Sequence, residues 1–145
     1  MWKLQIDDPT FGIISTAPQF TRIALQYGKT MAIPTHFHPL LSTSQRINEI
    51  FSGCGAGTFY CGIGADGTVY PCIFLPIALG NLLSEDIETL WKDSKILSSM
   101  RQRRDIEICG KCAFKYLCGG CRSRAYAYHG TFLGPDPGCI LCSPD

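Results

Sequence analysis

The chain has 145 residues and a formal net charge of +1. This length suits one small domain, and the near-neutral charge gives no reason to expect nucleic-acid binding. No apolar run approaches the ~20 residues that a membrane-spanning helix needs, and the N-terminal residues do not resemble a secretory signal. We therefore expect a cytoplasmic protein without a membrane span.

Residues 1–50 contain no cysteine and few structural signals. A short helix is expected where apolar side chains recur every three or four positions, at Phe20, Ile23, Ala24 and Tyr27. Gly28 would end this helix, because glycine commonly follows a helix C-terminus.

Residues 58–74 are predicted to form a β-hairpin. Two stretches rich in β-branched and aromatic residues flank turn residues at positions 65–67. The hairpin would carry Cys61 on one arm and Cys72 on the other. A further turn is expected at residues 80–81, which are glycine and asparagine.

One amphipathic helix is predicted to follow. Ser84 is a suitable N-cap, and apolar residues recur at helical period over residues 87–97. The basic residues within 101–104 favour the C-terminal end of this helix, and we expect them to be solvated. Another short helix is expected over residues 122–129, ended by Gly130.

The chemistry of this sequence lies in its nine cysteines. They follow the pattern C-x2-C-x5-C-x2-C with a returning pair: Cys109, Cys112, Cys118, Cys121, then Cys139 and Cys142. Three others lie upstream, at Cys54, Cys61 and Cys72. Zinc knuckles are commonly separated by about 15–20 residues, whereas a five-residue spacer suits a bulkier iron–sulfur cluster. Disulfides are disfavoured because no export signal is present.

The cysteine pattern resembles the SPASM domain, the C-terminal auxiliary-cluster module of many radical SAM enzymes. The resemblance covers about residues 54–142. The strings ADGTVYPC, LGNL, CGGCRSRAYA and DPGC are similar to those of the radical SAM haem-biosynthesis enzymes of the siroheme-dependent route and their denitrification-haem relatives. The string STAPQFTR, residues 15–22, resembles the segment that closes the barrel in that branch.

We expect an α+β fold in which a small β-hairpin and short helices are organised around auxiliary iron–sulfur clusters, with little regular structure elsewhere. Residues 1–50 would be the end of a barrel-like catalytic domain or a connecting segment. Residues 51–145 would be the cysteine-rich SPASM-type domain.

The resemblance implies one or two [4Fe–4S] clusters. One cluster would be held by Cys109, Cys112, Cys118 and Cys139. A second would be held by Cys54, Cys61, Cys72 and Cys121, although the C-x2-C spacing at 118 and 121 departs from the C-x3-C usual in the family. Cys142 would be the spare cysteine, or it would replace Cys139.

The implied function is that of an auxiliary domain in a radical SAM oxidoreductase that decarboxylates or otherwise modifies the side chains of a tetrapyrrole in haem biosynthesis. The domain would relay an electron and close the substrate pocket. Arg122, Arg124 and Tyr126 would offer guanidinium groups and an aromatic face to the substrate, whereas packing on the helix surface is the simpler interpretation.

The chain lacks the C-x3-C-x2-C motif that holds the cluster cleaving S-adenosylmethionine. It would therefore not be catalytically competent alone, and S-adenosylmethionine would act through a separate or missing barrel domain, in cis or in trans. A ferredoxin-like electron donor or acceptor would be a further partner. Three alternatives stay open: a peptide-modifying maturase domain, a stand-alone ferredoxin-like electron carrier and a zinc-binding interaction domain.

Overall fold

The computed structural model describes residues 15–28, 46 and 51–142. Within these ranges the chain forms four α-helices and one three-stranded antiparallel sheet, which confirms the α+β class. No helix in this part of the chain is long and apolar enough to cross a bilayer. The division of the chain near residue 50 stays a prediction, since most of residues 29–50 lie outside the described ranges.

The first predicted helix is confirmed as α1, which spans Gln19–Gly28. Phe20 and Ala24 are buried together on one face, whereas Tyr27 is exposed. Ser15 orders the approach to the helix, because its hydroxyl accepts a hydrogen bond from the Ala17 N–H at 3.2 Å.

The predicted hairpin is also confirmed, with shorter strands than the sequence indicated. β1 spans Gly62–Ile63 and pairs antiparallel with β2, which spans Thr68–Tyr70. Asp66 stabilises the intervening turn, because its carboxylate accepts hydrogen bonds from the N–H and the hydroxyl of Thr68 at 3.1 and 2.8 Å. The cysteines on the two arms lie just outside the paired residues.

The turn predicted at residues 80–81 is instead a third strand, β3, which spans Gly80–Asn81 and pairs with β2. Asn81 explains the error, because its side chain makes turn-like hydrogen bonds while its backbone lies in the sheet. Its amide donates to the Asp66 carbonyl at 2.9 Å, and its side-chain oxygen accepts from the Leu83 N–H at 2.8 Å. The chain reverses only after this residue.

Two helices follow the sheet, where one was predicted. α2 spans Ile87–Asp93 and α3 spans Lys95–Gln102. Ser94 separates them because its backbone is extended, and its hydroxyl accepts a hydrogen bond from the Leu97 N–H at 3.3 Å. The apolar stripe continues across the break, which is why the sequence pattern did not reveal it.

The predicted N-cap of this region is wrong as well. Asp86 caps α2, since its carboxylate accepts a hydrogen bond from the Thr89 N–H at 3.0 Å. The Ser84 hydroxyl instead donates to the Asn81 carbonyl at 3.2 Å, within the turn that precedes the helix.

The main hydrophobic core lies between α3 and the end of the hairpin. Its buried members are Ala56, Cys72, Leu75, Leu97 and Met100. Trp91 of α2 and Tyr126 pack against this cluster. Because Cys72 is itself a core residue, the arm that carries it is anchored by packing as well as by strand pairing.

The last predicted helix is confirmed with its predicted bounds. α4 spans Arg122–His129, and Gly130 ends it in the left-handed conformation, with φ of 72°. A 3₁₀ turn at Cys109–Lys111 lies upstream. Cys121 directly precedes α4 and Cys109 opens the 3₁₀ turn, so regular structure positions both cysteines.

Replacing Leu97 by alanine should destabilise the fold strongly. The side chain is fully buried in the main core, and truncation there would remove about 3 kcal/mol from the free energy of unfolding. Urea unfolding followed by circular dichroism measures this change. Leu83→Ala is the matched control, because Leu83 is 86% exposed and its loss should cost no more than about 0.5 kcal/mol. Equal effects of the two variants would contradict the assigned core.

Candidate metal centre

The four cysteines of the first predicted set line one cavity of about 270 Å³. We call it the C-terminal cavity, and its relevant lining residues are Cys109, Cys112, Cys118, Cys139, Cys142 and Arg22. Cys142 belongs to the same group, since its Sγ lies 3.8 Å from the Sγ of Cys109. Five thiols therefore share this cavity, one more than a four-thiolate cluster needs.

Three cysteines of the second predicted set line another cavity, of about 650 Å³. We call it the hairpin cavity, and its cysteines are Cys54, Cys72 and Cys121. The fourth member, Cys61, precedes β1 and is not among the lining residues. The Tyr60 hydroxyl donates to the Cys72 Sγ at 3.8 Å, so the sulfur already has a polar neighbour.

One wall of the hairpin cavity is apolar and open to solvent. Ile73 and Phe74 line it, and they are 75% and 73% exposed. Arg124 lines the same cavity and provides a cation. The cavity thus combines thiols, an apolar wall and one positive charge.

The nine cysteines are all free thiols. Across residues 15–28, 46 and 51–142, no three His, Cys, Asp or Glu side chains converge tightly enough to hold a single metal ion. Eight of the nine thiols instead face the two cavities.

Backbone N–H groups point at sulfur atoms in both cavities. The Phe114 N–H donates to the Cys112 Sγ at 3.4 Å, and the Phe74 N–H donates to the Cys72 Sγ at 3.5 Å. Such bonds stabilise thiolate charge and tune the potential of iron–sulfur clusters. The donor set of the C-terminal cavity therefore fits a cluster, whereas the hairpin cavity brings together three of the four thiolates that a cluster needs.

The two residues between Cys118 and Cys121 are both glycine, and the backbone conformation there favours this residue. Gly119 and Gly120 both have positive φ, at 67° and 62°. A Cβ on Gly119 would lie 2.7 Å from an Nη of Arg103, and one on Gly120 would lie 2.5 Å from an Nη of Arg122. A side chain at either position would be strained by the positive φ and would displace a guanidinium group.

Arg103 is buried, so the expectation of a solvated basic cluster is wrong for it. Its guanidinium donates to the carbonyls of Lys115, Tyr116 and Cys54 at 2.6, 2.9 and 2.8 Å. Burial lowers the pKa of Arg103, while the nearby thiols of Cys54 and Cys118 act in the opposite direction. This side chain ties the loop before Cys118 to the segment at Cys54.

Arg101 departs from the same expectation, because it donates to the backbone carbonyls of Gly57 and Trp91, each at 2.7 Å. Its guanidinium also lies over the Trp91 ring, 4.7 Å from the centroid. Arg104 is exposed, as expected.

The three predicted substrate-contact residues lie in different environments. Arg122 is only 2% exposed, and its Nη1 donates to the Phe132 and Gly134 carbonyls at 2.7 and 2.8 Å. Its Nη2 lies 4.0 Å from the Cys109 Sγ. Tyr126 packs against the main core, whereas Arg124 lines the hairpin cavity. The geometry gives Arg122 a structural role and leaves Arg124 accessible.

Asp136 joins the elements around both cavities. Its carboxylate accepts hydrogen bonds from the backbone N–H groups of Cys121 and Gly138 at 2.6 and 2.9 Å. It also accepts from Arg124, at 3.0 and 2.8 Å, and from the Gln19 side-chain amide of α1. Burial alone would raise the pKa of Asp136, but the hydrogen bonds from Arg124, Cys121 and Gly138 outweigh it and hold the pKa below its usual range.

Burial also governs the thiols. It raises the pKa of Cys118 to about 11, and neighbouring Cys139 and Cys109 act in the same direction. The Gly120 N–H and the charge of Arg22 oppose this rise. The pKa of Cys54 is raised too, mainly by burial. Thiolates at these positions therefore need nearby positive charge, from a metal centre or from the buried arginines.

No sequence pattern distinguishes three charged residues of this site from ordinary surface charges. They are Asp136, Arg103 and Arg22. Asp136 lies in a proline- and glycine-rich stretch that indicates a rigid turn, and Arg103 lies at a basic helix end. Two of these residues lie in strings that resemble segments of known enzymes: Asp136 in DPGC and Arg22 in STAPQFTR. The resemblance does not reveal the role of either residue.

Comparison with known proteins agrees with this geometry. Residues 54–113 match the SPASM family, described as an iron–sulfur cluster-binding domain. An AdoMet-dependent heme synthase of Methanosarcina barkeri is 31% identical over 129 residues, which are 86% of this chain and 34% of that protein. The AdoMet-dependent heme synthase of Nitratidesulfovibrio vulgaris is 30% identical over 127 residues, with 85% and 32% covered. The resemblance to this domain and this branch is thereby confirmed.

A further match is the mycofactocin maturase MftC of Mycobacterium tuberculosis, 34% identical over 92 residues, which are 60% of this chain and 24% of that protein. No solved structure shows a significant match. The chain spans about a third of the length of the two heme synthases, 34% and 32%.

Asp136→Asn should destabilise the protein by roughly 2 kcal/mol, the size expected when a buried acceptor is replaced so that existing hydrogen-bond donors are left unsatisfied. One side-chain oxygen would become an NH₂ group facing existing donors, and Arg124 would lose its counter-charge. Urea unfolding of the anaerobically purified protein measures the loss. Asp93→Asn makes the same chemical change at an exposed position and should alter stability by no more than about 0.5 kcal/mol. A fully stable Asp136→Asn protein would show that this carboxylate does not hold the elements together.

Proposed function

Residues 54–113 form a SPASM-type iron–sulfur cluster-binding domain, and from this premise we propose that the chain is the auxiliary-cluster part of a radical SAM oxidoreductase in haem synthesis. The observation that carries the proposal is the pair of thiol-lined cavities, each with N–H groups directed at sulfur and each beside a guanidinium. A catalytic radical SAM domain, in cis or in trans, would supply the chemistry on S-adenosylmethionine.

The proposed ligands follow the two cavities. The C-terminal cavity would hold one [4Fe–4S] cluster through Cys109, Cys112, Cys118 and Cys139. The hairpin cavity would hold a second through Cys54, Cys72 and Cys121, with Cys61, which lies outside the cavity lining, as the fourth ligand. When bound, such clusters supply reversible one-electron transfer, and a ferredoxin-like protein would be the external donor or acceptor.

The connection between the cavities suits a relay of electrons. Cys118 lines the C-terminal cavity and Cys121 lines the hairpin cavity, so their Cα atoms lie within about 11 Å, the extended length of three residues. The Cys54 N–H also donates to the Cys118 carbonyl at 2.9 Å. One short loop and one backbone hydrogen bond thus hold both sites close together.

The reaction that such a domain would serve releases an electron. Removal of a hydrogen atom from a propionate side chain leaves a carbon radical. Loss of carbon dioxide from the carboxylate then forms a vinyl group and sets one electron free. The protein must deliver this electron to an acceptor, and a domain with two adjacent one-electron sites meets that need.

The hairpin cavity supports a role in closing the substrate pocket. Ile73 and Phe74 provide an apolar wall that would cover the face of a planar tetrapyrrole, and Arg124 would pair with a carboxylate. The Arg124 side chain is 43% exposed, which permits contact with a ligand.

Iron analysis of anaerobically purified protein tests the two sites separately. We expect about eight irons per chain with matching acid-labile sulfide, since each [4Fe–4S] cluster contributes four. Cys112→Ser should lose about four irons from the C-terminal cavity, and Cys121→Ser about four from the hairpin cavity. The double variant should lose both sets.

Cys142→Ser is the control, because the proposal leaves Cys142 as the spare thiol, and it should keep full iron. Loss of iron in Cys142→Ser but not in Cys139→Ser would exchange the roles of these two residues. Zinc without sulfide in the unmodified protein would overturn the electron-transfer function.

The substrate is tested in a mixture of this chain, a radical SAM catalytic domain, S-adenosylmethionine, a reductant and a propionate-bearing iron tetrapyrrole. Mass spectrometry should detect loss of carbon dioxide from the tetrapyrrole. Arg124→Lys keeps a positive charge beside Asp136 but loses the planar guanidinium, so turnover at limiting substrate should fall about tenfold, the size of one lost charge-assisted hydrogen bond, with unchanged iron content. Tyr128→Phe, at an exposed position of the same helix, should leave turnover unchanged.

The match to a mycofactocin maturase supports a second candidate, a maturase acting on a peptide. Modification of a precursor peptide, with no change in the tetrapyrrole, would favour this candidate and exclude haem synthesis.

A further inference from the structure

Arg22 has an unusual environment on α1. Its side chain is 3% exposed and lines the C-terminal cavity with five cysteines. Its Nη1 donates to the side-chain oxygen of Gln26. Among the buried side-chain nitrogen and oxygen atoms of the described residues, only Arg22 Nε has no hydrogen-bond partner.

A buried guanidinium with an unused donor is costly unless an anion is close. The other two buried arginines meet this requirement through backbone carbonyls, as Arg103 and Arg122 each donate to at least two. Among the described residues, no such set of carbonyls faces Arg22. Five thiols share its cavity.

We propose that Arg22 is a positioning residue that stabilises the reduced state of the cluster held in the C-terminal cavity. Its Nε–H donates to a cluster sulfur or a thiolate, and its positive charge compensates the negative charge that the cluster gains on reduction. This inference rests on the proposed function, because it needs a cluster in that cavity. It assigns to α1, which lies outside the cysteine-rich segment, a direct influence on the redox chemistry.

The midpoint potential of the cluster is the quantity that tests the inference. In a redox titration followed by electron paramagnetic resonance, Arg22→Gln should shift one wave to more negative potential. The ratio of reduced to oxidised cluster at a fixed potential should fall about tenfold, which corresponds to about 59 mV for one electron. Cys121→Ser identifies the wave, because only the C-terminal cluster remains in that variant.

Arg104→Gln is the matched control, since it removes the same group from an exposed position that lines neither cavity. The midpoint potentials of both clusters should be unchanged in Arg104→Gln. Arg22→Lys keeps the charge but loses the planar donor, so a smaller shift is expected. A normal iron content with an unmoved wave in Arg22→Gln, or an equal shift in Arg104→Gln, would overturn the inference.

A spectroscopic measurement decides the case in which Arg22→Gln loses its iron. The protein is labelled with ¹⁵N-arginine, and electron–nuclear double resonance of the reduced cluster should detect a coupling to the Arg22 nitrogen. This coupling should disappear in Arg22→Lys. The coupling from Arg122, whose Nη2 lies 4.0 Å from the Cys109 Sγ, should remain. Identical spectra would reject the role of Arg22. Absence of iron from the unmodified protein would instead reject the proposed function, so the two failures are distinguishable.

Discussion

The buried carboxylate of Asp136 is the interaction on which the arrangement of both cysteine cavities depends. It joins α1 through Gln19, α4 through Arg124 and the cysteine loop through the Cys121 N–H. The same residue fixes the returning loop, because its carbonyl accepts a hydrogen bond from the Cys139 N–H at 3.0 Å. Few regular elements are present, so one anion with several donors replaces much of the packing that a larger core would provide.

The described residues bury more positive than negative charge. Arg22, Arg103 and Arg122 are buried, whereas Asp136 is the buried acid among the described residues and is already paired with Arg124. Such an excess of cations would be unfavourable in an ordinary small protein. It would become favourable beside a thiolate-ligated cluster, whose net charge is negative, and the cavities and the arginines would then form one electrostatic unit.

Helices and strands were predicted correctly where turn or capping residues mark their ends. The bounds of α4 follow from its glycine stop, and the hairpin follows from its turn. The break at Ser94 was missed because the apolar period continues through it, and the solvated basic cluster was wrong because Arg103 folds back onto distant carbonyls. For the site, the family resemblance implied four of the five cysteines that share the C-terminal cavity. The role of Asp136 could not be predicted because it depends on donors from separate segments, one of them Gln19 at 117 positions' distance. The role of Arg22 could not be predicted because only the fold brings α1 to the C-terminal cavity.

The open apolar wall of the hairpin cavity has a consequence for handling the protein. Ile73 and Phe74 are adjacent, largely exposed and free of flanking charges in the sequence, which reads Pro71-Cys72-Ile73-Phe74-Leu75-Pro76. Exposed apolar surface of this kind promotes self-association, and a net charge of +1 gives little electrostatic repulsion between copies. The isolated chain should therefore be least soluble near its isoelectric point of about 7.5, so its colloidal behaviour would improve in buffers well away from that pH.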